Sequence, residues 1–174
     1  MSNHDPRPRV LVAYGTRNGG TAGIANIIAT ELAESGVVAE VRPANWVNDV
    51  QQYDAVVLGG AVYAGRWHHD ARVFARRYAK ALQDRPVWVF SSGPLDNSAD
   101  EKQIPPVAQA AQAVQTLHAR EHVTFGGRLD EYAQGFIAHA MVRGGHGGDF
   151  RNDDRIRQWS RAIATELSSS AMHA

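Results

Sequence analysis

Arg9-Val10-Leu11-Val12-Ala13-Tyr14-Gly15-Thr16-Arg17-Asn18-Gly19-Gly20-Thr21 decides how this chain is read. Its first half, Arg9–Tyr14, is a short run of β-formers, apolar throughout rather than alternating. That pattern marks a parallel strand covered on both faces. Its second half is a glycine-rich turn. Beyond it, Ile24, Ile27, Ile28 and Leu32 recur at helical spacing as far as Ser35-Gly36, a helix stop. The segment is therefore strand, loop, helix. Glycines let such a loop turn tightly and bring several N–H groups toward one point. The helix N-terminus adds partial positive charge. Thr16 and Thr21 contribute hydroxyls and Asn18 an amide, while Arg17, Gly19 and Gly20 complete the loop. Together they predict a phosphate socket. No Gly-Lys-Ser/Thr follows, so it is not a nucleoside-triphosphate loop, nor does it match the dinucleotide glycine pattern.

Further strands are read at Val37–Val41, Ala55–Leu58, within Pro86–Ser91, and at His122–Phe125. Helices are read from about His69 to Gln83, from Pro105 to Ala119, and in a last segment marked by Ile156, Trp159, Ile163 and Leu167. Asp149, Asp153 and Asp154 are expected to cap and open that last helix. Strands alternating with helices predict an α/β three-layer sandwich around a five-stranded parallel sheet. Right-handed crossovers favour the order 2-1-3-4-5, with a ligand crevice at the carboxyl ends of the strands. The whole chain, 1–174, reads as one domain, with 1–8 and 168–174 frayed. A long insert, 128–150, lies on the crevice side.

Composition narrows the function classes. The chain has 174 residues, 44% hydrophobic and 21% charged, the profile of one folded domain. Lys plus Arg and Asp plus Glu are 18 each, and a neutral chain is not built for non-specific nucleic-acid binding. There is no cysteine, which excludes disulfides, thiolate metal sites and thiol nucleophiles. Redox chemistry would need a borrowed cofactor. No apolar run approaches the roughly 20 residues that span a bilayer. The polar start, with Pro6 and Pro8, lacks the apolar core of a signal peptide, so a cytoplasmic location is expected.

Tyr14-Gly15-Thr16, Gly19 and Thr21 resemble the phosphate loop of the flavodoxin family, with Asn18 in place of the usual threonine and Arg17 a cation in a normally neutral place. A closer resemblance is to the flavodoxin-like menaquinone-dependent protoporphyrinogen oxidases. It is carried by Gly60-Ala61-Val62-Tyr63-Ala64-Gly65-Arg66-Trp67-His68 after the third strand and by Phe125-Gly126-Gly127-Arg128-Leu129 after the fifth. The return of the insert at Gly147-Gly148-Asp149 completes it. The resemblance implies a flavodoxin-like fold and FMN as cofactor. It also implies electron transfer from a reduced substrate through the flavin to a quinone, another small-molecule acceptor or a redox partner protein. Ala133–Val142 is hardly basic, which weakens the expectation of a membrane-borne acceptor.

On this reading Ala61, Val62, Tyr63, Ala64, Gly65 and Trp67 form the flavin-side loop, with Tyr63 and Trp67 placed to stack on the ring. Gly65 would let the backbone approach the ring edge. Ser91, Ser92, Gly93 and Pro94 would offer hydrogen bonds to the pyrimidine side. No metal site is expected, since His68 and His69 are adjacent, point apart, and lack a carboxylate at ligand spacing. Two alternatives stand beside the enzyme. One is an electron carrier, disfavoured because carrier flavodoxins are acidic and this chain is neutral. Within it sits a 5-deazaflavin coenzyme in place of FMN, suggested by Arg17, Arg66 and a bias to arginine, sixteen against two lysines. A phospho-receiver domain would need acidic residues after the first strand, where this chain has Tyr14-Gly15-Thr16.

Overall fold

The first strand lies at the centre of a sheet covered on both sides, as its unbroken apolar run requires. The computed structural model describes residues 5–17, 19–129 and 148–172. In chain order the elements are β1 (Arg9–Gly15), α1 (Gly20–Glu34), β2 (Val38–Pro43), β3 (Ala55–Tyr63), β4 (Arg66–Trp67), α2 (His69–Tyr78) and β5 (Val87–Ser92). After them come α3 (Ser98–Glu101), α4 (Ala108–Thr116), β6 (Glu121–Phe125), β7 (Arg128–Leu129), β8 (Gly148–Asp149) and α5 (Asp153–Ala171). A 3-10 turn, Ala44–Trp46, follows β2.

The main sheet has the order β2-β1-β3-β5-β6, all parallel. This is the expected 2-1-3-4-5 arrangement with one short addition. β4 folds back antiparallel on the end of β3, pairing Val62 with Trp67 and Tyr63 with Arg66. Val10, Val12, Val57, Trp88 and Phe90 pack on one face with residues of α1 and α5; Leu11, Ala13, Leu58 and Val89 pack on the other with residues of α2 and α4. Each large apolar side chain buried in these layers contributes about 1.5–3 kcal/mol.

Several boundaries differ from the sequence reading. β3 continues through Gly59 and Gly60 to Tyr63. A Cβ at Gly59 would lie 2.0 Å from the Phe90 ring, so the glycine is what lets the central strands pack there. α2 ends at Tyr78, and Lys80–Asp84 turn instead of continuing the helix. Asn152, not an aspartate, caps α5: its side chain accepts from the Arg155 N–H at 3.1 Å. α5 runs to Ala171, through residues expected to fray, and Ser168, Ser169 and Ser170 each donate to the carbonyl four residues back. At the other end Pro8 is tied to the sheet, its carbonyl accepting from the Val38 N–H at 2.8 Å.

Candidate functional site

The carboxyl ends of β1, β3, β5 and β6 surround a cleft of about 380 Å³, within the range of small-molecule sites. Four chain segments form its walls. The β1–α1 loop supplies Thr16, Arg17, Gly20 and Thr21, and the β3–β4 hairpin Ala61, Val62, Tyr63 and Ala64. Ser92, Gly93 and Leu95 come from the segment after β5, and Gly127 and Arg128 from the segment after β6. Two arginines line the cleft, and among the described residues no carboxylate does. Its field therefore favours an anionic ligand.

The β1–α1 loop is held open by its own backbone. Gly19 caps α1 in the left-handed region, φ 82°, where glycine carries no steric penalty. Its N–H donates to the Thr16 hydroxyl oxygen at 3.1 Å, leaving that hydroxyl's proton to point elsewhere. Thr21 sits in the first turn of α1, 1% exposed, in the cleft wall. Its Oγ1 has no hydrogen-bond partner among the described residues. A buried hydroxyl left unsatisfied costs about 1–3 kcal/mol, and helical threonines ordinarily avoid this by bonding a carbonyl one turn back. Asn18 lies outside the described residues.

The hairpin after β3 separates its two aromatic rings. Ala64 (φ 49°) and Gly65 (φ 73°) are both left-handed, the geometry that closes a two-residue hairpin. Tyr63, before the turn, lines the cleft, and the Arg17 guanidinium lies 5.1 Å from its ring centroid. Trp67, after the turn, does not reach the cleft as expected. It is 1% exposed and packed in the core on the α2 side. A Cβ at Gly60 would sit 2.4 Å from its indole, so Gly60 is the socket for the ring. The indole N–H is itself without a partner among the described residues. Gly65 turns the chain without forming part of the cleft wall.

After β5 the four expected residues divide as well. Ser92 and Gly93 line the cleft. The Gly93 N–H, however, donates to the Phe125 carbonyl at 3.2 Å, so it is not left for a ligand. Ser91 points to the other sheet face, its Oγ 2.8 Å from His122 Nε2. Burial pushes the His122 pKa down to about 4, so the ring is neutral near pH 7. Ser91 and Pro94 border a smaller cavity of about 150 Å³ with Ile104, Val107 and Thr124.

Leu95, Gly127 and Arg128 enter the wall without having been singled out as site residues. The Phe125-Gly126-Gly127-Arg128 run was the available signal. The Gly127 N–H donates to the Pro94 carbonyl at 2.8 Å, and a Cβ at Gly126 would meet the Phe150 carbonyl oxygen at 1.9 Å. Two loops distant in sequence are thereby drawn together. His68 has a structural place: its Nδ1 accepts from the Asp70 N–H at 3.2 Å and caps α2. Burial lowers its pKa, with Asp70 opposing. Among the described residues no group of three or more His, Asp or Glu is arranged to hold a metal ion.

A family model described as flavodoxin domain matches residues 11–144. Among curated proteins, the chain is 32% identical over 85 residues to protoporphyrinogen IX dehydrogenase (quinone) of Escherichia coli strain K12. That match covers 48% of this chain and 47% of the relative, so the chain spans about half the length of the curated relatives it matches. Among solved structures, a flavodoxin of Streptococcus pneumonia TIGR4 superposes with a TM-score of 0.61 at 15% identity, covering 93% of this chain and 99% of that one. Oxidised flavodoxin 2 of Bacillus cereus gives 0.60 at 18% identity, covering 91% and 99%. At these identities the structural matches speak for the fold.

Proposed function

The chain belongs to the flavodoxin domain family, and from that premise we propose that it binds FMN in the cleft and works as a flavin-dependent oxidoreductase. The observation that carries this reading is the buried, unpartnered Thr21 hydroxyl at the N-terminus of α1. A phosphate accepts from such a hydroxyl and from the first N–H groups of a helix, and it gains from the helix dipole. Thr16, Gly20 and Thr21 would hold the phosphate, with Arg17 beside it. Tyr63 would lie against the ring, and Ser92 would offer its hydroxyl to the ring's polar edge. Bound there, the flavin supplies the redox chemistry. The residues supply binding, orientation and a cationic rim that favours negative charge on the ligand.

The finer reading is transfer of electrons from a reduced porphyrinogen-type substrate to a quinone or another acceptor. It is supported by the 32% identical relative named for that activity. The 128–150 segment enters and leaves beside the cleft through β7 and β8, and we read it as one wall of the substrate or partner pocket. No observation favours the 5-deazaflavin alternative. No helix among the described residues is long and apolar enough to cross a membrane, in keeping with an acceptor met at the surface.

The first test is the absorption spectrum of the purified protein, followed by FMN titration of the cofactor-free form. Flavin bands and saturable quenching are expected. A protein that neither carries nor takes up FMN would refute the cofactor assignment. Turnover of protoporphyrinogen IX with a quinone then separates the enzyme from a carrier. Deletion of residues 134–146 should abolish that turnover while leaving FMN binding largely intact; full activity of the deletion variant would reduce the segment to a spacer.

A further inference from the structure

The chain is neutral, but its charges are not evenly paired. Arg7, Arg42, Arg120, Arg151, Arg157 and Arg161 each meet a carboxylate within 4 Å. Arg9, Arg17, Arg85, Lys102 and Arg155 form no ion pair among the described residues, and neither do five clustered cations, Arg66, Arg72, Arg76, Arg77 and Lys80. The clustered five belong to one stretch, β4 and α2 with the turn that follows. All are exposed except the half-buried Arg72. The carboxylates nearest in sequence are Asp70, which faces His68, and Asp84 beyond the helix.

The same surface carries the largest exposed aromatic ring among the described residues. Trp46 is 70% exposed at the end of the 3-10 turn that packs on α2, where the Tyr78 hydroxyl donates to the Val47 carbonyl at 2.7 Å. Its neighbour Asn45 shares a groove with Asp70, Val73 and Arg77, and Val73 is itself exposed. An exposed aromatic ring beside an arginine-bearing helix has the composition of a protein-binding hot spot. The surface is also continuous with the cleft: Arg66 pairs across the hairpin with Tyr63, which lines it.

We propose that this arginine face, from Arg66 along α2 with Trp46 as its apolar anchor, docks an acidic protein beside the cleft. Guanidinium forks match carboxylates in pairs, and an unpaired cationic surface steers and orients a carboxylate-rich partner. A bilayer is the poorer fit. Ala71, Phe74, Ala75 and Tyr78, the apolar side of α2, are buried in the core, so the helix has no apolar face to insert. That the docked protein exchanges electrons with the cleft rests on the FMN reading; the docking does not.

The test is calorimetric titration with an acidic plant-type ferredoxin as probe, and with basic cytochrome c as control, on both FMN-loaded and FMN-free protein. At about 20 mM salt the ferredoxin should bind the wild type, and about 300 mM salt should weaken it roughly tenfold as screening shortens the range of the charges. Arg72→Glu with Arg76→Glu should weaken it by a factor of ten or more. So should Trp46→Ala, an exposed change that leaves the core untouched. The cytochrome should not bind. Docking is overturned if the ferredoxin does not bind the wild type, if the charge reversals leave its affinity unchanged, or if the cytochrome binds as well. It is equally overturned if vesicles of phosphatidylglycerol compete with the ferredoxin at equal charge, which would make the face a membrane surface. Failure to load FMN with docking intact would instead refute the cofactor reading alone.

Discussion

The carboxyl ends of β1 and β3 sit side by side at the same end of the sheet, and both carry glycines. They use glycine for opposite purposes. At Gly19 no described residue beyond its chain neighbours comes within 4 Å of where a Cβ would be, and the residue serves a left-handed turn at the start of α1. At Gly60 the missing Cβ is replaced by the indole of Trp67, and the residue serves the core. One loop leaves a buried hydroxyl without a partner; the other buries a ring. A glycine run after a strand therefore makes a ligand cradle only when nothing from the protein fills it.

Variants on either side of this contrast sharpen it. The largest effect is expected at Trp67→Ala, which empties a filled core site and should lower unfolding stability by about 3–5 kcal/mol. Urea unfolding measures this, and a loss under about 1 kcal/mol would mean the ring is not packed as described. Next comes Thr21→Val, which should weaken FMN binding by about 1.5–3 kcal/mol, the range for a hydrogen bond to a charged group. Stability of the cofactor-free protein should rise, by up to about 1–3 kcal/mol, since an unsatisfied buried hydroxyl is removed and no protein partner is lost. A variant that is destabilised but binds FMN normally would reverse the assignment of that hydroxyl. Tyr63→Leu should cost about 1 kcal/mol of affinity through lost ring contact and raise the emission of bound flavin. Unchanged emission at full loading would put the ring elsewhere. The smallest effect is expected at Gly19→Ala, about 1 kcal/mol of stability from the left-handed backbone alone. Gly60→Ala, by contrast, should cost about 2 kcal/mol or more through collision with the indole.

The sheet was legible because its signals are local. Unbroken apolar runs such as Val10–Ala13 and the helix pattern Ile24, Ile28, Leu32 state their own burial. The β1–α1 loop in the cleft wall was legible for the same reason, its glycines and threonines lying within eight consecutive residues. The fate of Trp67 was not, because it depends on a two-residue antiparallel return whose turn includes an alanine in the left-handed region. That return puts Tyr63 in the cleft wall and Trp67 in the core. Nor does the sequence reveal that Gly93 and Gly127 are bound up in hydrogen bonds between loops more than 30 residues apart. The end of α5 was expected to fray as a chain terminus, yet the helix runs to Ala171, and the hydroxyls of Ser168, Ser169 and Ser170 bond back to its own carbonyls.

The antiparallel pairing of Arg128 with Asp149 and of Leu129 with Gly148 has a consequence for how this protein can change. The two ends of an eighteen-residue stretch, 130–147, are fastened to each other before the stretch begins. Chain-closure entropy grows only as the logarithm of loop length, so doubling the stretch would cost only about 0.6 kcal/mol. Residues between the clasp can be lengthened, shortened or exchanged without disturbing the register of the main sheet. The clasp lets that part of the chain vary in length and composition while the main sheet keeps its pairing.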